Sequence, residues 1–366
     1  MRNFLYVSIT SIMFFLSVDL IFGKSILNSL YSNKIILSEK ENIREIKKIK
    51  EKEKFYRVKN SNYHHSLKKK VKANSTWGKK KYFTCTDQFG FRQNCDRKSS
   101  SIIEKNIIII GDSFTEGIGL NYEQTFGGMF SKKFNDKVLN MGVTSYSPVI
   151  YKMKIFHHIN NNKFNIKHVV IFIDISDVDD EANNYTECKN KVCDRKNKNI
   201  IKNININKSE YSYKLPLYNL IKVAIKNLKR TIKPKIYIYR KDFIRSNWTF
   251  IEENQNIKIG IKNSIYHMNE LHNYLKKRNI TLSVGVYPHP GQILFDTENS
   301  KQVKIWREFC VDKCKHFLNF FPIFFDELKG SSPKQVINKY YIKNDIHFNY
   351  LGNVKIYDRL KTFNFN

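Results

Sequence analysis

The chain contains few acidic residues. It has 33 Asp and Glu against 64 Lys and Arg, which gives a formal net charge of +31 in 366 residues. Such an excess usually indicates a nucleic-acid partner or an acidic surface. The lysines are spread along the whole chain, however, and no RNA- or DNA-binding signature accompanies them. A nucleic-acid partner is therefore not expected.

The spacings that zinc sites use, such as Cys-x-x-Cys, are absent. The six cysteines instead fall into three close pairs: Cys85 with Cys95, Cys188 with Cys193, and Cys310 with Cys314. Local pairing favours disulfides in an oxidising compartment, and zinc binding is the alternative. The acidic run 177–181 lacks the residue spacing of a calcium loop and is interpreted as a solvated loop. No metal or cofactor is expected.

Long apolar runs are also lacking, with one exception at residues 4–22. This run approaches the length of about 20 residues that is needed to cross a bilayer. A cleaved signal peptide is the alternative, but no Ala-x-Ala-like cleavage site follows the run. An uncleaved N-terminal membrane anchor is therefore favoured. The remainder of the chain is expected in the periplasm or another extracytoplasmic compartment.

The most informative segment leads from an apolar run to a serine. Residues 107–110 are all isoleucine, which is typical of a strand buried on both faces, and Gly111 and Gly117 allow a sharp turn into a helix. Ser113 then lies beyond the carboxyl end of the strand, where open α/β sheets bind their ligands. Thr115 does not match the second glycine of the α/β-hydrolase elbow Gly-x-Ser-x-Gly. The alternative is an ordinary turn in which Ser113 caps the helix.

Asp345 and His347 supply the groups that a seryl nucleophile requires. An imidazole takes the seryl proton, and a carboxylate holds the tautomer of the imidazole and stabilises its charged form. In an extended segment, positions two apart project to the same side, so the two side chains can meet. The alternative is a solvated turn or a surface ion pair.

Together these two segments resemble the SGNH (GDSL) hydrolase superfamily, whose first block carries Gly-Asp-Ser and whose last block carries Asp and His. The resemblance covers roughly residues 80–366. It implies that Ser113 is the nucleophile, His347 the base and Asp345 its orienting partner. It also implies that the N–H of Gly142 joins that of Ser113 in an oxyanion hole. A glycine that only permits the turn is the alternative.

The third and last blocks depart from the commonest form of the superfamily. After a convincing strand at residues 169–173, Ser176 stands where asparagine is usual, so its hydroxyl is the candidate for a third oxyanion contact. In the last block, Asn344 occupies the usual aspartate position. The Asp-x-His arrangement and the segment 287–292 resemble a branch associated with envelope polysaccharide modification. His289 in that segment lines the substrate pocket or is a rigid loop residue without chemistry, and it is left out of the catalytic set.

The sequence divides into an anchor at residues 1–25, a basic linker at 26–80 and an SGNH-like catalytic domain at 81–366. Strands are predicted near residues 107–110, 137–140, 169–173, 282–286 and 320–325, separated by stretches able to form helices. Right-handed crossovers then give an α/β fold, a three-layer α/β/α sandwich with a central parallel sheet. An insertion at about 183–256 is a candidate lid or acceptor-binding segment, with a packing appendage as the alternative.

These features predict a serine esterase or O-acyltransferase that acts on acyl esters, in the first place acetyl esters, of an envelope glycan. Its partners are then an acylated glycan or another ester, and the membrane through the N-terminal segment. A lipase or thioesterase is less favoured, because no long apolar segment outside the anchor suggests an acyl-chain tunnel. The alternative from another class is a non-catalytic glycan-binding or assembly protein on the same fold.

Overall fold

The protein consists of two units. The computed structural model describes residues 2–32, 57–77, 80–96, 106–162, 164–195, 242–243, 245–251 and 254–365. The first unit comprises Met1–Lys54 and Asn197–Tyr237, and the second comprises Phe55–Lys196 and Ile238–Asn366. Most of the expected linker before Arg57, and most of the insertion predicted at about 183–256, lie outside the described residues.

The described part of the first unit is one helix, α1 (Arg2–Ser32). Its segment Tyr6–Gly23 is long and apolar enough to cross a membrane. Large apolar side chains on this segment, among them Phe14 and Ile21, are exposed rather than packed in a core. The helix is therefore a candidate membrane anchor or signal segment, as the apolar run predicted.

The second unit is built on an eight-stranded sheet. The strands of this unit are β1 (Arg57–Asn60), β2 (His64–Leu67), β3 (Lys72–Trp77), β4 (Lys80–Thr86), β5 (Arg92–Gln93), β6 (Ile107–Gly111), β7 (Val138–Asn140), β8 (His168–Ile173), β9 (Tyr185–Cys188), β10 (Lys191–Asp194), β11 (Thr281–Val286) and β12 (His316–Asn319). The order in the large sheet is β12-β11-β8-β6-β7-β5-β4-β3. Strands β12, β11, β8, β6 and β7 are parallel.

The expected central parallel sheet is present, and the whole sheet is mixed. Strands β5, β4 and β3 extend it as antiparallel strands. In β3 the residues alternate between exposed and buried up to a half-buried Trp77, as expected for a strand with one face toward the core. The predicted linker at 26–80 is too long at its C-terminal end, because strands begin at Arg57.

The last parallel strand also lies earlier than predicted. It is β12, paired with Ser283–Val286 of β11, whereas the aromatic run at 320–325 mostly forms a short helix. Pro322 stands in the first turn of that helix, where the missing N–H of proline costs nothing. The side chain of Asn319 accepts a hydrogen bond from Phe321 N at 3.0 Å and ends the strand.

Helices cover both faces of the sheet. They are α2 (Ser113–Glu116), α3 (Phe126–Lys133), α4 (Pro148–Asn161), α5 (Asp177–Asn183), α6 (Gln255–Lys276), α7 (Pro290–Phe295), α8 (Lys301–Cys310), α9 (Phe321–Phe325), α10 (Pro333–Tyr340) and α11 (Tyr350–Leu360). Ile108 and Ile110 of β6 share one apolar core with α4, α6 and α8. Ile107 and Ile109 share the other with α3, α10 and α11. The architecture is thus a three-layer α/β/α sandwich.

The three predicted cysteine pairs are bonded in the structure. They are Cys85–Cys95, Cys188–Cys193 and Cys310–Cys314. The second disulfide joins β9 to β10, the described hairpin of the insertion. Each bridge closes a short loop, which is the pairing that local spacing favoured.

The acidic run 177–181 is not a solvated loop. It forms the first part of α5, and Asp177 and Glu181 are fully buried. Tyr151 donates to Asp177 Oδ2 at 2.9 Å, and Ser147 donates to Glu181 Oε1 at 2.7 Å. One oxygen of each acid is therefore bonded to α4 or the residue that precedes it, which sequence spacing does not show, while Asp177 Oδ1 and Glu181 Oε2 are buried without a hydrogen-bond partner among the described residues.

Candidate active site

Ser113 lies at the carboxyl end of β6, in a turn that two local features produce. Asp112 accepts a hydrogen bond from Phe114 N at 3.0 Å through Oδ1 and caps α2. Gly117 ends this short helix with φ at +73°, a conformation that glycine adopts without strain. The cap is therefore Asp112 and not Ser113, so the seryl hydroxyl is available for other contacts.

The structure brings Ser113, His347 and Asp345 into one hydrogen-bonded chain. His347 Nε2 is 2.8 Å from Ser113 Oγ, and His347 Nδ1 is hydrogen-bonded to Asp345 Oδ1. Trp77 Nε1 donates to Asp345 Oδ2 at 2.9 Å. Burial raises the pKa of Asp345, but the hydrogen bond and charge of His347, assisted by Trp77, hold it below its usual value. The carboxylate is therefore kept ionised beside the imidazole.

A tight loop between α10 and α11 positions the acid and the base. Asn344 has φ of +61°, and Asp345 Oδ1 accepts the backbone N–H of His347 at 2.9 Å. Asn349 then caps α11 by accepting from Gly352 N at 3.0 Å. The two side chains meet through this loop geometry, although the sequence interpretation invoked an extended segment.

Gly142 lies close to the serine helix. A Cβ at this position would be 2.8 Å from Thr115 Cβ and 2.9 Å from Glu116 N, so only glycine lets the loop after β7 approach α2 this closely. The N–H of Gly142 donates to Asn140 Oδ1 at 3.0 Å. An oxyanion at this position would have to replace that bond.

Ser176 is committed to a neighbouring carboxylate. Its hydroxyl donates to Asp174 Oδ1 at 2.6 Å, and its N–H donates to the same oxygen at 2.8 Å. The predicted third oxyanion donor is thus held within the loop that follows β8.

A second hydrogen-bonded chain, which the sequence did not reveal, lies behind Ser113. Asp112 Oδ2 is 2.9 Å from Ser113 Oγ. The hydroxyl of Tyr287 is 3.3 Å from Asp112 Oδ1 and 3.2 Å from Asp174 Oδ2. His289 then places Nε2 2.7 Å from Asp174 Oδ2. These side chains are almost completely buried.

The second chain ends at Asp242. His289 Nδ1 is 2.9 Å from Asp242 Oδ1, and Gly291 N donates to Asp242 Oδ2 at 2.5 Å. The sequence interpretation of His289 is a residue that lines the substrate pocket or a rigid loop residue without chemistry. One signal was available, because Asp112, Asp174 and Tyr287 each follow directly on a strand of the parallel sheet and so meet at the same edge.

Burial and charge divide the protons among these acids unequally. Burial and the charge of Asp174 raise the pKa of Asp112 to about 6. Burial alone would lower the pKa of His289, but Asp174 and Asp242 raise it to about 10. Burial opposes the ionisation of Asp174, yet His289 and the donors of Ser176 hold its pKa below the usual value. The site thus combines an ionised acid, a charged imidazole and an acid that titrates near neutrality.

A group with the geometry of metal ligands lies elsewhere in the described part of the chain. Ligand atoms of Glu187, His267 and Glu270 lie within 4.8 Å of one another. Lys152 Nζ donates to Glu187 at 2.5 Å and to Glu270 at 2.6 Å. The ammonium group of Lys152 therefore already provides the positive charge that these carboxylates attract.

Comparisons with solved structures find proteins similar to this chain. One is a lipolytic protein of the G-D-S-L family from Desulfitobacterium hafniense, described as putative, with 12% identity, a TM-score of 0.37 and coverage of 70% of this chain and 98% of that one. Another is a catalytic mutant of an acetylxylan esterase from Geobacillus stearothermophilus, with 10% identity, a TM-score of 0.39 and coverage of 72% and 95%. A GDSL-like lipase from Bacteroides thetaiotaomicron has 10% identity, a TM-score of 0.36 and coverage of 71% and 87%.

No family model matches the chain, and no curated protein matches it significantly. The descriptions of two of the similar structures contain the name GDSL, which is also the name of the superfamily that the sequence motifs resemble. Their TM-scores lie below 0.5. The α/β architecture and the site therefore rest on the sheet and the hydrogen bonds described above.

Proposed function

We propose that the protein is a serine-dependent ester hydrolase or O-acyltransferase. The observation that carries the proposal is the hydrogen-bonded chain from Ser113 Oγ through His347 to Asp345 at the carboxyl edge of the parallel sheet. A serine, an imidazole and an ionised carboxylate in this order form the arrangement that activates a seryl hydroxyl.

The chemistry follows from the roles of the three groups. Ser113 Oγ attacks the acyl carbonyl carbon while its proton passes to His347 Nε2, and Asp345 stabilises the imidazolium. His347 then returns the proton to the departing alcohol oxygen, which leaves the acyl group on Ser113. A second hydroxyl, deprotonated by His347, attacks the ester carbonyl, the bond to Ser113 Oγ breaks, and His347 returns the proton to the seryl oxygen. Water as that acceptor makes the protein an esterase, and a sugar hydroxyl makes it a transferase.

The proposed oxyanion hole consists of the N–H groups of Ser113 and Gly142. The Gly142 N–H now donates to Asn140, so binding of the tetrahedral intermediate would exchange that acceptor for the developing oxyanion. Ser176 is proposed to act only indirectly, since its hydroxyl is bonded to Asp174.

The proposed substrate is an acetyl ester of an envelope glycan. Its support is the resemblance of the Asp-x-His block and of segment 287–292 to the polysaccharide-modifying branch. The apolar helix α1 and the three disulfides fit a tethered protein outside the cytoplasm, in the periplasm for example. In this proposal residues 1–25 form the anchor, and the catalytic domain begins by Arg57.

The test is turnover of p-nitrophenyl acetate by the full-length chain, produced in an oxidising compartment and purified in detergent. Ser113→Ala and His347→Ala should each abolish most of the activity. Ser264→Ala is the matched control, because Ser264 is a buried helical serine whose hydroxyl bonds to Gly260 O. Addition of acetylated and unacetylated glycans then distinguishes hydrolysis from transfer. Equal turnover by Ser113→Ala and the wild type would sink the proposal.

A non-catalytic glycan-binding protein is the second candidate, and the engagement of both Gly142 N–H and Ser176 favours it. The two candidates differ in one property. A fluorophosphonate forms a covalent bond with an activated serine, whereas the serine of a binding protein does not react. Labelling of the wild type but not of Ser113→Ala therefore excludes the binding protein.

A further inference from the structure

The Ser113 hydroxyl has two neighbours that compete for its hydrogen. Ser113 Oγ is 2.8 Å from His347 Nε2 and 2.9 Å from Asp112 Oδ2. An ionised carboxylate only accepts, so an ionised Asp112 draws the hydrogen away from His347. A protonated Asp112 donates instead, and the seryl hydrogen is then free to point at His347.

The contacts of Asp112 show which oxygen can carry a proton. Oδ1 accepts from Phe114 N at 3.0 Å and lies 3.3 Å from the hydroxyl of Tyr287. Oδ2 faces Ser113 Oγ. A proton on Oδ2 therefore makes a donor that points directly at the seryl oxygen.

Asp112 and Asp174 cannot both ionise easily, because one tyrosine hydroxyl bridges them in a buried site. Two buried carboxylates that share one hydroxyl tend to retain a proton between them. Asp174 faces more donors than Asp112, since it receives the hydroxyl and N–H of Ser176 and the imidazole of His289. Asp174 therefore carries the charge, and when the pair holds a single proton, that proton is on Asp112.

His289 stabilises the negative charge on Asp174 and thereby favours the proton on Asp112. Both of its ring nitrogens face carboxylates, Asp174 at 2.7 Å and Asp242 at 2.9 Å, and the ring is fully buried. Both nitrogens donate only when the ring is an imidazolium. The pKa of His289, about 10, agrees with a positive charge beside Asp174, and the pKa of Asp112, about 6, means that Asp112 keeps its proton mainly below about pH 6.

The other titratable groups near Asp112 do not change which of the two acids, Asp112 or Asp174, holds the proton. Burial, with the charges of Asp174 and Asp112, raises the pKa of Asp177 well above its usual value, which favours its neutral form. Burial raises the pKa of Tyr151 and of Tyr287 well above their usual value, so both hydroxyls keep their protons. His347, across Ser113, is the base that receives the seryl hydrogen.

We propose that His289 is a positioning residue for the nucleophile. By keeping Asp174 ionised, it favours the protonated form of Asp112, and protonated Asp112 turns the Ser113 hydroxyl toward His347. This inference rests on the proposed serine mechanism. It adds Asp112, Tyr287, Asp174 and Asp242 to that mechanism as residues that act through Ser113 and not on the substrate.

The experiment measures the rate of fluorophosphonate labelling and kcat/KM for p-nitrophenyl acetate from pH 5 to 9, with the full-length chain in detergent. His289→Gln removes the positive charge, so the proton shifts toward Asp174. Above about pH 6, the labelling rate should fall about tenfold for each pKa unit that Asp112 loses, with little change in KM. Asp174→Asn by itself removes the negative charge that raises the pKa of Asp112, so it should lower the labelling rate in the same pH range. His316→Gln, the same substitution outside this network, is the control.

Asp112→Asn provides an independent measurement. The amide cannot ionise, and it can accept from Phe114 N while its NH2 group donates to Ser113 Oγ. The rate of this variant relative to the wild type should therefore rise with pH above about 6, by up to about tenfold per pH unit. A purely structural role of Asp112 predicts a ratio that does not change with pH.

The outcomes separate this inference from the proposed function. A folded wild type that neither labels nor turns over contradicts the serine mechanism itself. If the wild type labels and His289→Gln labels at the same rate and with the same pH profile, the role of His289 is wrong. Should His289→Gln fail to fold, a ratio for Asp112→Asn that is flat or falling above pH 6 overturns the inference.

Discussion

Trp77 Nε1 donates a hydrogen bond of 2.9 Å to Asp345 Oδ2, across 268 positions of the sequence. Trp77 ends β3, the edge strand of the antiparallel extension, and its ring meets that of His347 edge-on with centroids 5.3 Å apart. Asp345 therefore orients the imidazole of His347 through Oδ1, and the edge strand β3 holds Asp345 through Oδ2.

Trp77→Phe keeps an aromatic ring but removes the donor. A hydrogen bond to a charged group contributes about 1.5–3 kcal/mol, so kcat should fall roughly tenfold to a hundredfold while KM changes little. Steady-state kinetics with p-nitrophenyl acetate check this. A variant with the kcat and pH profile of the wild type would show that Asp345 needs no donor from β3.

Gly142→Ala should displace the loop after β7 from α2. The new Cβ would meet Thr115 Cβ at 2.8 Å and Glu116 N at 2.9 Å, and backbone cannot yield as a flexible side chain does. A shift of about 1 Å at a reacting centre can cost about a hundredfold in rate. Gly330→Ala is the control, because its Cβ would meet nothing within 4 Å. Equal rates for both variants would contradict the close approach.

Arg57→Met should destabilise the fold strongly. Arg57 Nη1 and Nη2 donate to Glu116 Oε2 and Oε1 at 3.0 and 2.9 Å, and Glu116 is 1% exposed. Removing one partner of a buried ion pair costs about 3–5 kcal/mol, which denaturant unfolding can measure. Arg278→Met, at an exposed position, should change the stability by less than about 0.5 kcal/mol. Adding Glu116→Gln should recover part of the loss, and no recovery would mean that charge is not the cause.

Lys154 should make the stability depend on pH. It is fully buried, with Nζ 2.9 Å from Met141 O, and burial lowers its pKa to about 7. The unfolded chain keeps this proton up to about pH 10.4, so it binds more protons than the folded state between the two values. The wild type should therefore gain stability relative to Lys154→Met from about pH 7 to 10, by at most about 1.4 kcal/mol per unit. Melting curves of the wild type and of Lys154→Met at several pH values in this range measure the difference in stability. A difference that does not change with pH would contradict the prediction.

Several features could be predicted because their signals are local. A run of isoleucines predicts a strand buried on both faces, and the structure has β6 there with Ser113 just beyond its end. The three disulfides follow from cysteines 4, 5 and 10 positions apart. Asp345 and His347 stand two residues apart in one loop, so their pairing needs little help from the rest of the chain.

Two errors in the predicted fold have different causes. Strand β3 is rich in polar residues and becomes a strand by pairing with β4, so composition alone suggested a linker. The aromatic run at 320–325 has high strand propensity, but Asn319 and Pro322 end β12 and begin a helix instead. Tertiary pairing outweighs composition in β3, and local capping outweighs strand propensity at residues 320–325.

The sequence by itself determined the strand that carries Ser113, the neighbouring acid and base near the C-terminus, and the cysteine pairs, because each depends on residues close together in the chain. Only the tertiary structure decided the rest of the site. Tyr287 reaches Asp112 across 175 positions and Asp174 across 113, and His289 reaches Asp174 across 115. These groups meet because parallel strands end at one edge of the sheet, and burial there decides which of them keeps a proton.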